Sequence, residues 1–444
     1  MNRIFKNIYL QRRFFIVLSC MVLGFLVSYI VPDLLGVIEL LFYIFSLIFL
    51  VDIILVLASI GGISAERIVP EKLSNGDGNE IVINLSNSYL FPVGLKILDE
   101  IPHQFQKRDF GIETTLGKGR EKTFQYFLRP TERGVYSFGN LNVFAHSPIG
   151  LISKKYTFGN AQEVSVYPSF LQLRKYDLMA FTNRLSEYGL KKIRRIGHTM
   201  EFEQIKDYVQ GDDIRNINWK ATAKKGQLMV NQYQDEKSQP IYSVIDKGRV
   251  MKMPFNGLSL LDYAINATLV ISHIAIKKQD KAGMFAFSRK IENRVVAERR
   301  SSQMNLILET LYNLETNFEE SDYSRLYADI KRNINHRSLI LLYSNFETLD
   351  ALQRQLPYLQ AIAKQHLLVV IFFENTELTK FVDEKAETIQ QIFEKTIAEK
   401  FVYEKKLIVN ELRKYGIQTI LTKPENLTIN TINKYLEIKA RGLI

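Results

Sequence analysis

Residues 201–236 read EFEQIKDYVQGDDIRNINWKATAKKGQLMVNQYQDE, and the rest of the 444-residue chain is organised around them. The stretch holds the single tryptophan, Trp219, beside a Gly211-Asp212-Asp213 turn, and it carries more charge than simple burial accounts for. A glycine followed by two aspartates reads as a turn into a helix N-terminus, where a carboxylate accepts hydrogen bonds from backbone amides that lack a helical partner. Such adjacent aspartates cap a helix far more readily than they share a proton. Ile214, Ile217 and Ala221 stand at i, i+3 and i+7, one face of a short helix, and Gly226 after Lys224-Lys225 ends it. Leu228, Val230 and Gln232 then alternate with Met229, Asn231 and Tyr233, the period of a strand. Trp219 and its turn read as a structural brace, with a docking face as the second reading.

The spacing of Tyr208, Gly211, Asp212, Asp213, Arg215, Ile217, Trp219, Ala223 and Glu236, with Glu203 and Lys220 in the same stretch, resembles the signature of the "domain of unknown function 58" proteins. That family's pattern runs Glu-Phe, Arg-x-Tyr, Gly-Asp-Asp-x-Arg-x-Ile-Asp-Trp. Lys206, Asn218 and Lys224 stand here where the family has Arg, Asp and Arg, and a lysine does not reproduce a bidentate guanidinium. The resemblance implies a membrane-anchored protein with a von Willebrand factor A-like domain, associated with MoxR-type AAA+ ATPases.

Working outward, a chain of this length with 46% hydrophobic residues has room for two or three ordinary cores. The net charge of +11 is spread along the sequence without a nucleic-acid motif, so an anionic membrane surface accounts for it better and no nucleic-acid partner is expected. The one cysteine, Cys20, lies inside an apolar run, which excludes a disulfide framework or a cysteine zinc cluster. Arg3, Lys6, Arg12 and Arg13 precede an apolar run over 14–31, Pro32-Asp33 breaks it, and a second run covers 34–60. Each is long enough to cross a hydrocarbon core of about 30 Å. Basic residues before the first run and none in the turn predict a helical hairpin in the cell membrane with both ends, and all later residues, in the cytoplasm. Glu39 and Asp52 fall near the expected interfaces, where snorkelling or contact with water accounts for them better than an ion pathway does.

Over 64–170 the texture becomes short alternating segments between turns, with strands predicted at 80–85, 94–99, 121–128, 134–138, 141–144 and 163–167. This pattern predicts a small antiparallel β-sandwich. The segments 133–136, 147–151 and 166–168 also resemble stretches the family carries ahead of its signature. Residues 171–200 form a charged connector with Arg184, Lys191, Lys192, Arg194 and Arg195 close together. After the signature, strands at 241–246, 283–287, 291–296, 338–343, 367–373 and 417–421 alternate with helical stretches, and a final helix covers 426–440. Only the pair around 288–290 is joined too tightly for a crossover, so one antiparallel edge strand is expected in a mostly parallel sheet with helices on both faces. The predicted organisation is a transmembrane anchor over 1–63, a sandwich over 64–170, the connector, and signature plus von Willebrand factor A-like α/β domain over 201–444.

Ligands of such a sheet bind beyond the carboxyl ends of its strands, at the tips after Asp246, Tyr343 and Phe373. The family fold places a metal there, held by an Asp-x-Ser-x-Ser strand end, a later hydroxyl and a carboxylate. Here the tip reads Asp246-Lys247-Gly248-Arg249-Val250, Ser321-Asp322 and Ser344-Asn345 stand near the other two ligand positions, and no metal or other cofactor is expected. No Walker A loop, Gly-x-Gly-x-x-Gly or His-Glu-x-x-His motif occurs, and the six histidines are scattered. The expected function is a non-enzymatic, membrane-anchored scaffold binding a MoxR-type ATPase and other membrane proteins in complex or envelope assembly. The alternative is a membrane-associated hydrolase using Asp212 or Asp213 with a bound cation.

Overall fold

Arg12, Arg13 and the apolar runs on either side of the Pro32 break fold into two helices. A computed structural model describes residues 7–57, 62–107, 110–159, 161–173, 176, 200–210, 212–235, 238–316, 319–386 and 388–443. Helices α1 (Arg12–Ile30) and α2 (Leu35–Leu57) are joined by a single 3-10 turn at Pro32–Leu34, where proline opens the turn and supplies no amide to α1. Mean hydropathies of 2.1 and 2.9 make both segments apolar enough, and they are long enough, to cross a membrane. Phe14 lies 5.0 Å from Phe49 and Phe25 lies 6.2 Å from Phe42, ring centre to ring centre, so the helices run antiparallel.

Met1–Tyr167 form one compact unit and Pro168–Ile444 a second. The first contains β1 (Ile8–Leu10), β2 (Ile63–Ile68), β3 (Lys72–Ser74), β4 (Asn79–Asn87), β5 (Val93–Asp99), β6 (Gly111–Leu116), β7 (Glu121–Leu128), β8 (Gly134–Phe138), β9 (Leu141–His146), β10 (Ile152–Phe158) and β11 (Gln162–Tyr167). They make an antiparallel sheet β1-β10-β9-β5-β6, an antiparallel sheet β2-β4-β7 and a sheet β3-β11-β8 with one parallel pair. In β4 the residues Ile81, Ile83 and Leu85 point inward at the two-residue period, and they share one core with Leu95, Ile97, Val143 and Val166 from the other sheets. The six strands expected from sequence are present. β1, β2, β3, β6 and β10 are additional. In β2 the inward positions are Ile63, Ala65 and Arg67, while Ile68 is exposed, so the apolar alternation is inverted at its end. Arg67 is accommodated because its guanidinium donates to Asp99 at 2.5 Å and to the Gly139 carbonyl at 2.9 Å, and the Tyr126 hydroxyl donates to the other Asp99 oxygen.

Asp52 corrects the expectation of water contact. It is buried near the end of α2, where it accepts from the Ser147 hydroxyl and from the amides of Leu151 at 2.9 Å and Ile152 at 3.0 Å. A buried carboxylate is retained only where donors replace its water, and the 147–152 turn supplies three. Arg13 donates to the Ile149 carbonyl at 3.2 Å, and the Gln11 amide to the Leu151 carbonyl at 2.8 Å, so both helices of the hairpin meet the same turn. Glu39 is exposed.

The second unit begins with β12 (Met200–Asp207), α3 (Trp219–Lys225) and β13 (Met229–Asp235), and most of the predicted connector lies outside the described residues. Then follow β14 (Pro240–Asp246), the small pair β15 (Pro254–Phe255) and β16 (Leu258–Ser259), α4 (Leu260–Lys277), β17 (Lys281–Phe287), β18 (Ile291–Glu298), α5 (Gln303–Tyr312) and α6 (Tyr323–Asn333). The chain continues through β19 (Leu339–Tyr343), α7 (Leu349–Gln365), β20 (Leu367–Phe373), α8 (Thr376–Asp383), α9 (Ile389–Lys414), β21 (Gln418–Thr422) and α10 (Leu427–Ala440). The sheet order is β18-β17-β14-β19-β20-β21, parallel except for β18, the expected antiparallel edge. Helices α4, α5 and α10 cover one face and α6, α7 and α9 the other. In β20, Val369, Ile371 and Phe373 enter the first core while Leu368, Val370 and Phe372 enter the second, which is why that strand reads as an unbroken apolar run. α4 is also long and apolar by composition, but it is largely buried as a core helix.

Candidate functional site

β12 and β13 form a two-stranded antiparallel ribbon with Lys206 opposite Val230 and Asp207 opposite Met229. Between them the signature folds through its own polar side chains. The Asp212 carboxylate accepts from Lys206 at 2.9 Å and from the Val209 amide at 3.0 Å, and the bond from Lys206 leads in holding its carboxyl below the ordinary carboxylate range. Asp213 caps a 3-10 turn at Ile214–Asn216, accepting from the Arg215 amide at 3.0 Å. The single helix expected over 214–226 is therefore divided. Asn218 starts α3 by accepting from the Ala221 amide at 3.0 Å, and its amide group donates to Asn231 at 2.8 Å, so a competing side-chain cap resets the helix. Gly226, at φ 73°, closes α3 as expected.

Trp219 is 68% exposed, Ile214 68% and Val209 62%. The reading of Trp219 as a buried brace is thus corrected: the capping network of Asp212, Asp213 and Asn218 shapes this segment, and the indole faces solvent. Tyr208 is half-buried, and its amide donates to the Leu228 carbonyl at 2.9 Å. Lys225 pairs with Asp207 at 2.9 Å, whereas Arg215, Lys220 and Lys224 have no ion-pair partner among the described residues. An ion pair from Arg215 to Glu203 or Glu236, one way the signature could be tied together, would involve side chains outside those described, and Gly211 lies outside the described residues as well.

Residues 204–381 match the family model described as "Protein of unknown function DUF58". The chain carries a DUF58 region. It is also 23% identical over 233 residues to "Uncharacterized protein YeaD" of Bacillus subtilis (strain 168), an alignment covering 49% of this chain and 54% of that protein. The chain thus spans about half the length of the curated relative it matches. Neither the family description nor the relative's name states an enzymatic activity. Among solved structures, the conserved hypothetical protein BatB from Bacteroides thetaiotaomicron is 11% identical, covering 46% of this chain and 99% of that one, with a TM-score of 0.29. The CARDB domain of the PF1109 protein from Pyrococcus furiosus is 19% identical, covering 23% and 91%, with a TM-score of 0.18.

Within the DUF58 region, Asp246 sits at the carboxyl end of β14, between β17 and β19 in the sheet, and is almost fully buried. It accepts from the Ser321 hydroxyl, from the Ser344 hydroxyl at 2.7 Å and from the Gly248 amide at 2.8 Å, with the Tyr323 hydroxyl at 3.4 Å. Burial pushes its carboxyl above the ordinary range, against the opposing pull of these donors. The structure thus brings together Asp246, Gly248, Ser321 and Ser344 of the residues expected at this tip. Val250 packs against the core instead. Asn345 turns to Lys405, whose ammonium donates to its side-chain oxygen at 2.6 Å and to the Phe346 carbonyl at 2.5 Å. Of the pair Ser344-Asn345 it is thus Ser344 that reaches Asp246. Tyr323 was missed by sequence: it reaches the tip from the first turn of α6 and has no sequence signal. Lys247 points to Glu292 on the edge strand. The oxygen donors around Asp246 bond one another, Gly248 and Val250 add no side-chain oxygen, and the donor set does not fit octahedral magnesium.

Proposed function

We propose that this chain is a membrane-anchored, non-enzymatic scaffold whose DUF58 signature is a docking face for a partner, a MoxR-type AAA+ ATPase in complex or envelope assembly. The observation that carries the reading is the exposure of Trp219, the chain's single tryptophan, together with Ile214 and Val209. Tryptophan and arginine dominate binding energy where interfaces have been dissected, and Arg215, Lys220 and Lys224 accompany the indole in sequence. The first unit is read as a β-sandwich and the second as a von Willebrand factor A-like domain acting without a metal. The helical hairpin is read as a two-span anchor with both units in the cytoplasm. Supporting this, β1 precedes α1 and pairs with β10, while β2 follows α2 and pairs with β4, so the two ends of the hairpin return to one side. The basic residues before α1 favour the cytoplasmic side. For a hydrolase, Asp212 and Asp213 are poorly placed, since both are engaged in shaping the turn.

The test is co-purification of the full chain, in detergent, with a co-expressed MoxR-type ATPase. Trp219→Ala and Arg215→Ala are expected to lose the ATPase while the scaffold itself remains folded. Full capture by the Trp219→Ala variant would place docking elsewhere.

A further inference from the structure

A second surface in the DUF58-bearing unit lies apart from the signature. A cleft of ≈ 570 Å³ opens at the carboxyl ends of β20 and β21, walled by α8 and α9. Phe373, Leu421, Phe381, Ile397 and Phe401 give it an apolar lining. Along α9 the residues Ile389, Phe393, Ile397 and Phe401 recur every four positions and are all exposed, Ile389 to 76%, so an apolar line runs out of the cleft along the helix. The rim carries Glu347, Glu374, Glu377 and Glu394 against Lys405 and Lys406, four carboxylates to two ammonium groups in a chain whose net charge is +11. None of the four carboxylates has an ion-pair partner among the described residues, and Lys405 spends two of its donors on Asn345 and the Phe346 carbonyl.

We propose that this groove receives an amphipathic, basic helix of a partner protein. An apolar channel between two helices, extended by a stripe at helical spacing, matches the way a helix lies in a groove. The acidic rim selects lysine and arginine on the flanks of the incoming helix. It also disfavours the other occupants: an anionic bilayer meets like charge, and a second copy of this chain brings the same acidic rim to the same face.

The full chain, held in detergent, is titrated into two fluorescein-labelled synthetic helices with the same leucine face, one with lysine and one with glutamate on its polar face, and anisotropy is read at low and high salt. The lysine helix is expected to bind roughly tenfold or more tightly than the glutamate helix, weakening with salt. Phe393→Ser combined with Ile389→Ser, both at exposed positions, is expected to weaken it by a further factor of about ten. Exchanging Glu374, Glu377 and Glu394 for lysine is expected to transfer the preference to the glutamate helix. Trp219→Ala leaves both affinities unchanged, which separates this groove from the signature face. Equal binding of the two helices, or binding unaffected by the serine substitutions in a chain of unchanged circular dichroism, would overturn the proposal. So would self-association of the chain, or capture by phosphatidylglycerol vesicles, that the serine substitutions abolish.

Discussion

Asp99 is the acceptor on which two buried donors of the antiparallel unit depend, the Arg67 guanidinium and the Tyr126 hydroxyl. Replacing it by alanine leaves a cation in the interior without its counterion, so Asp99→Ala is expected to cost about 3–5 kcal/mol in urea unfolding of the detergent-held chain. In the same measurement Trp219→Ala is expected to stay within about 0.5 kcal/mol, since it removes mainly solvent-facing area. Lys405 supplies a pH signature. Burial lowers its ammonium pKa from 10.5 to about 8 in the folded protein, with Glu347 pulling the other way. Between those values the unfolded chain binds the proton and the folded chain does not, so this group makes stability rise with pH across the window. A ¹³C-methylated Lys405 is expected to titrate near the lower value; a midpoint near 10.5 would show that its ammonium is fully solvated. At this scale sequence legibility was uneven. The caps of Asp213 and Gly226 follow from residue type and position, whereas the pairing of Arg67 with Asp99, or the approach of Tyr323 to Asp246, joins residues that only the tertiary fold brings together.

Helix α2 and the 147–152 turn depend on each other through one side chain. Asp52→Ala strands the Ser147 hydroxyl and the Leu151 and Ile152 amides, each buried donor left unpaired costing about 1–3 kcal/mol. Hydrogen exchange at Leu151 and Ile152 is expected to accelerate in that variant; unchanged protection would mean that the turn holds itself. Elements with a long, uniform pattern were legible. β4 alternates over nine residues and β20 is apolar throughout because both its faces are covered. β1 and β3, at three residues each, are too short to display a period, and β10 interrupts its apolar positions with Lys154 and Lys155. The resemblance of 147–151 to a family segment was visible in sequence, but its partner, Asp52, lies some hundred residues earlier and reads as an isolated carboxylate in an apolar run.

For the whole molecule, the pairing of β1 with β10 bears on topology. Reporter fusions after Ile444 and at Asp33 are expected to report opposite sides of the membrane, cytoplasmic for the first; the same side for both would rule out a two-span hairpin. The mixed α/β character, the antiparallel edge of the parallel sheet and the apolar N-terminal helices were legible because each rests on local periodicity, on a connection length or on the length of an apolar run. The exposure of the signature was not, since the sequence of Trp219 and its neighbours suits a packed core as well as a solvent-facing patch. The central claim, that this patch is where a partner docks, is tested most directly by placing a photo-crosslinking amino acid at Trp219 in the full chain in its own membrane. A discrete protein adduct is predicted at this position, lost when Ile214→Asp is added and absent from the exposed control position Tyr415. Illumination that yields no adduct beyond that control would contradict the account.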